Sequence, residues 1–205
     1  MLNSVAFSQC PAFVGSGTSN CTPQALGVNI NPAPNLAPVN FVFDEFREYK
    51  GGITFNGSSI VRLNVLAANA SCKWKLTMYV LNNGFVRADE WEELATYGSG
   101  TSGTRPKLDL LQVKVTNGCS TPKWDGWKSF DFPAVGECAY IDIINNVAVL
   151  PVPAGTCGNQ EVNGAGSYLT NYNEYSFTVD YRIVPGLTLI PGHYTMSIKF
   201  FLREE

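Results

Sequence analysis

Hydrophobic positions in this chain recur with a period of two more clearly than with any helical period, most visibly near its end. Tyr175, Phe177, Val179, Tyr181 and Ile183 alternate with polar residues, and Tyr194, Met196, Ile198, Phe200 and Leu202 form a second such series. Each run predicts a strand with one buried face. Between them, Pro185-Gly186 and Pro191-Gly192 bracket the short apolar run 187–190, so the chain must reverse or change sheets there.

The same alternation continues upstream. Phe41, Val42 and Phe43 open the main body, and Asn56-Gly57 between apolar runs at 53–55 and 60–66 predicts a hairpin, with Val61, Leu63 and Val65 on one face. Trp74, Leu76, Met78 and Val80 occupy one side of a strand whose other side carries Lys73, Lys75, Thr77 and Tyr79, the pattern of a half-buried antiparallel strand that turns at Asn82-Asn83-Gly84. Residues 88–95 break the period. Their helix formers, with Trp91 and Leu94 three apart, predict a short helical insertion before the Gly/Ser-rich loop 98–103. Leu111, Val113 and Val115 predict a strand closed at Asn117-Gly118, and Trp124, Trp127, Phe130 and Phe132 mark an aromatic-rich hairpin or loop. Two runs, 140–144 and 147–150, flank Asn145-Asn146 as a tight turn. Roughly eight to eleven short strands between turn residues give an all-β reading. The expected architecture is an antiparallel β-sandwich, Ig-like or pilin-like in its Greek key, with the short helix inserted.

Residues 1–38 differ from the rest. Two cysteines, five prolines and small polar residues leave only two weak strand candidates, 4–8 and 26–30, and the stretch from Asn31 through Pro34 excludes helix. They are expected to form an irregular, disulfide-stapled arm, with the sandwich domain at 39–205.

Charge narrows the partners. Charged residues are 15% of the chain and apolar ones 45%, and a formal net charge of −3 offers no basic field for nucleic acid. No apolar run is long enough for a membrane span. Six cysteines, Cys10, Cys21, Cys72, Cys119, Cys138 and Cys157, lie far apart with no C-x-x-C pair, which favours three disulfides over zinc or redox chemistry. Six buried free thiols are the alternative. Proximity in sequence suggests Cys10 with Cys21 and Cys138 with Cys157, leaving Cys72 and Cys119, among the 15 connectivities six cysteines allow. Disulfides imply export, although the first residues lack the basic start and apolar run of a leader, as in a mature form.

The segment Pro191-Gly192-His193-Tyr194-Thr195-Met196-Ser197-Ile198-Lys199-Phe200 resembles the closing strand of secreted bacterial β-sandwich proteins of pilin-like, spore-coat-U-like and adhesin type. With the preceding strand, the resemblance covers about thirty of 205 residues. More loosely, the whole chain resembles surface proteins of gliding, Bacteroidota-type bacteria. The resemblance implies a secreted or cell-surface location and an adhesive or appendage role, with other surface or filament proteins as partners. Donor-strand assembly has weak material at the start of the chain, where only Val5 and Phe7 alternate.

Candidate chemistry is sparse, and no cofactor is implied. His193 is the sole histidine and sits in a Pro-Gly turn without an evident catalytic partner, and no G-x-S-x-G elbow is present. Asp89, Glu90, Glu92 and Glu93 read as a solvated helix face, because adjacent carboxylates on a helix cannot converge across a cleft. A non-enzymatic protein is therefore expected. The alternative function is carbohydrate binding by loop aromatics, Trp124, Trp127, Tyr168 and Tyr172, with Trp91 and Tyr97 as outlying members. Against it, Trp124 and Trp127 would serve only to plug one end of the sandwich.

Overall fold

The computed structural model describes residues 26–31, 39–65, 73–81, 89–97, 103–117, 124–130, 139–148 and 174–204. The chain is all-β with antiparallel sheets. Its strands are β1 Leu26–Asn31, β2 Ile53–Val65, β3 Lys73–Leu81, β4 Glu92–Thr96, β5 Leu111–Asn117, β6 Lys128–Ser129, β7 Tyr140–Ala148, β8 Glu174–Ile183, β9 Gly192–Thr195 and β10 Ser197–Glu204. They form a five-stranded sheet in the order β1-β2-β8-β5-β6, a three-stranded sheet β10-β3-β7 and a two-stranded sheet β4-β9. The strand expected at 26–30 is thus present, at the edge of the largest sheet.

Period-two patterning explains the interior. Phe177, Val179, Tyr181 and Ile183 of β8, with Leu111, Val113 and Val115 of β5, are buried on one face. Leu76, Met78 and Val80 of β3, Ile141 and Ile143 of β7 and Phe200 of β10 belong to the same buried cluster, so the two larger sheets share a core. On β3 the expected water-facing side is wrong at two places: Thr77 and Tyr79 are also buried. The reason is that β3 is the middle strand of its sheet, where Thr77 donates to Asp142 Oδ1 at 2.8 Å and Tyr79 packs edge-on against Phe201, 6.2 Å between centroids. Lys75 Nζ adds an ion pair to Asp142 Oδ2 at 3.0 Å. Asp142→Ala removes both contacts and leaves a buried hydroxyl without this acceptor, an expected loss of about 1–3 kcal/mol, measured by urea unfolding, with Asp142→Asn costing less.

Two expected turns are bulges instead. Asn56-Gly57 makes no hairpin: β2 runs through it, with Phe55 opposite Tyr181 and Ser59 opposite Val179. Residues 56–58 therefore face Asp180 alone, and Gly57, at φ 64°, donates its N–H to Asp180 Oδ1 at 2.6 Å. The ten-residue β8 supplies a partner on both sides of the Asn-Gly pair, so local turn preference yields to the ladder. Likewise Asn145-Asn146 is absorbed within β7, where Ile144 pairs with Leu76 and Val147 with Trp74.

The helix is elsewhere. Residues 88–95 were expected to be helical, but β4 covers Glu92–Thr96 because it pairs with β9, an override of propensity by long-range hydrogen bonding. Among the described residues the α-helix is α1, Phe46–Gly51. At its start the Glu48 carboxylate accepts the N–H groups of Asp44 and Glu45, both at 3.1 Å, and these bonds hold its pKa below the ordinary carboxyl range. The run Tyr194 to Leu202, expected as one strand, is split at Met196: β9 joins β4 and β10 joins β3. The change of sheet thus comes later than the Pro-Gly turns alone indicate.

Candidate functional site

Aromatic and proline side chains gather where β8 ends. A cavity of about 440 Å³ opens there, lined by Phe41 and Phe43 from the run before α1, Tyr49 of α1, Trp91 and Tyr97 at the two ends of β4, and residues of the 185–194 segment including Pro185, Pro191 and Tyr194. Pro106, Leu110 and Ile183 complete its apolar wall. Its size falls within the range of small-ligand sites.

The wall is stitched together by backbone bonds between segments remote in sequence. Gly186 N–H donates to Tyr49 O at 3.0 Å, Tyr97 N–H to Pro191 O at 2.9 Å, and Trp91 N–H to Pro106 O at 2.9 Å. Thr104 N–H reaches Thr188 O at 2.8 Å, and Ile190 N–H returns to Thr104 O at 2.9 Å, closing a parallel bridge beside Leu189. These bonds tie α1, the 91–97 segment, the 104–106 segment and the 186–191 segment to one another without a ligand, an arrangement that reduces the ordering cost of binding.

Three of its aromatic rings keep their polar ends occupied. Tyr49 donates its hydroxyl to Phe43 O at 3.0 Å, Tyr194 to Ile190 O at 2.9 Å, and the Trp91 indole N–H to Lys107 O at 2.9 Å. What these residues present is ring surface. Tyr97, 59% exposed, stands at the mouth, and His193 is an exposed rim residue. Phe43 leans on Tyr49 with centroids 5.7 Å apart. Burial pushes the Tyr194 phenol above its usual pKa; the Glu93 charge adds to this, Arg105 opposes it and Glu90 contributes less.

The acidic cluster does not converge. Since 92–96 is a strand, its neighbouring residues point alternately. Glu93 pairs with Arg105 at 2.6 Å, and Asp89 pairs with Lys107. Among the described residues no group of three or more His, Cys, Asp or Glu is placed to hold a metal ion. No helix among them is long and apolar enough to cross a membrane.

Trp124 and Trp127 do not line the cavity. Trp124 packs against the buried cluster with its indole N–H buried and without a partner among the described residues, and Lys128 Nζ lies 5.6 Å from its ring centroid. Trp127 carries the Arg182 guanidinium 4.6 Å from its centroid, while Arg182 Nε donates to Gln112 Oε1 at 2.8 Å. Tyr168, Tyr172 and all six cysteines, with the disulfides expected of them, lie outside the described residues. The structure thus separates the aromatics grouped by sequence: Trp91 and Tyr97 join the cavity, and the 124–127 pair does not. Phe41, Phe43, Tyr49 and Tyr194 were missed as site residues, though an aromatic following the Pro191-Gly192 turn was a usable signal.

No family model matches the chain, and no curated protein matches it.

Proposed function

We propose that this chain is a secreted, non-enzymatic surface protein, an adhesin or appendage component, that works by contact and grips its partner in the aromatic cavity. The two larger sheets, with their shared core, are read as the halves of a β-sandwich that serves as a rigid mount. The carrying observation is the cavity itself: ring faces and prolines from distant segments, fixed by backbone bonds and open to solvent at Tyr97. Exposed aromatic surface of this kind is what recognition sites supply, because it buries large area with few torsions to freeze. Location at a bacterial surface is proposed from the resemblance of the closing strand and from the cysteine content.

A photo-crosslinking amino acid placed at Tyr97 in the producing cells tests the reading. A covalent adduct with an envelope or filament component is expected, reduced at least about tenfold by Trp91→Ala, the scale of a truncated interface anchor. Recovery of the free monomer alone, in cells where the protein is surface-exposed, would refute it. Glycan binding that falls with Trp127→Ala and not with Tyr97→Ala would move the function to the other aromatic pair.

A further inference from the structure

We propose that the cavity takes a quaternary ammonium group, held by cation–π contact with the faces of Tyr49, Trp91 and Tyr194. The proposal rests on the reading of the cavity as a binding site and names what it selects.

The first support is the lining, which holds six aromatic side chains and no lysine or arginine. A ring attracts a cation through the negative potential above its face, most strongly for Trp and then Tyr. The second support is what three of the four polar aromatics, Tyr97 excepted, do with their protons. Tyr49, Tyr194 and Trp91 each donate a hydrogen bond to a backbone carbonyl. Donation draws the proton outward and leaves the ring richer in electrons, so every such bond makes that ring a better partner for a cation.

The same facts discriminate between classes of ligand. A sugar brings several hydroxyls that must each find a partner when dehydrated, yet the donors of these three rings are spent on the protein, and only the exposed Tyr97 and His193 add further polar side chains to the lining. A primary ammonium has the same difficulty, because it is strongly hydrated and carries three N–H groups. Quaternary nitrogen has no N–H and an apolar shell of methyl groups, so it sheds water at low cost and keeps its charge. At about 440 Å³ the cavity exceeds one trimethylammonium group, which leaves room for the body that carries it.

Isothermal titration of the full chain with choline tests this, against its uncharged carbon isostere, in which a tert-butyl group replaces trimethylammonium, and against ethanolamine. Choline is expected to bind at least about tenfold more tightly than either, within the range of a desolvated cation–π contact. Trp91→Ala should abolish that preference and Trp91→Phe should retain part of it. Tyr194→Leu, at a half-buried position, supplies a second variant if Trp91→Ala does not fold, and should abolish the preference likewise. Vesicles of phosphatidylcholine and free phosphocholine separate a lipid headgroup from a soluble ligand. Equal affinity for choline and its isostere would overturn the inference and leave the cavity an apolar grip, as would binding of none of the probes. The Tyr97 crosslink reports on the contact reading independently of either result.

Discussion

Phe177→Ala is expected to lower the unfolding free energy by about 3–5 kcal/mol, enough to take a domain of ordinary stability close to its folding threshold. Phe177 is 1% exposed and sits in β8, whose neighbours in the largest sheet are β2 and β5, with Val61 directly opposite on one side and Asn117 on the other. Truncation removes most of an aromatic side chain from a core in which Val61, Val115 and Val179 are also fully buried. β-Branched residues have few rotamers with which to fill the void. The cavity term therefore adds to the transfer term, which places the cost in the upper part of the large-to-small range. Phe46→Ala makes the control. The same side chain, 64% exposed on α1, should change the urea midpoint by no more than about 0.5 kcal/mol equivalent. A small effect at Phe177 would mean that the two larger sheets do not share the core described above.

That core was legible because alternation is a statement about one strand at a time. Phe177 through Ile183 and Leu111 through Val115 carry it without interruption, and each chain segment settles its own inward face. Pairing was less legible. Asn56-Gly57 and Asn145-Asn146 have the chemistry of tight turns, and what converts them to bulges is a partner strand more than a hundred positions away in the first case and about seventy in the second. Nothing local distinguishes the two outcomes. The segment 92–96 failed for the opposite reason: its helix propensity is a fraction of a kcal/mol per residue, and pairing with β9 outweighs it. The cavity was the least visible feature. Its wall comes from separate segments, around 41–43, 49, 91–97, 106–110 and 183–194, and no periodicity or motif relates an aromatic in one to a proline in another. The chemistry of Trp91 and Tyr97 is legible in the sequence, and their place beside Phe41, Phe43, Tyr49 and Tyr194 is not.

Gly52→Ala is expected to cost about 2–5 kcal/mol and to close part of the cavity, two effects with one geometric origin. Gly52 ends α1 and leads into β2 at φ 77° and ψ 172°, a backbone region open in practice to glycine alone. An added Cβ would stand 2.5 Å from Ile183 O and 2.6 Å from a Val184 methyl. The first is a backbone atom at the end of β8, so the clash cannot be relieved by a rotamer change. Relief requires α1 to move away from the 183–186 turn, against the bond from Gly186 N–H to Tyr49 O. Because Tyr49 and Ile183 both line the cavity, the displacement alters its wall directly. Gly51→Ala separates this from a general helix effect: a Cβ at Gly51 meets nothing within 4 Å, and within a helix alanine is favoured by about 1 kcal/mol. The expected pattern is a raised or unchanged urea midpoint for Gly51→Ala, a lowered one for Gly52→Ala, and a ligand-induced change in Trp91 fluorescence that survives only the first. Equal midpoints for the two variants would show that α1 is not seated against the end of β8, and the cavity would lose one wall.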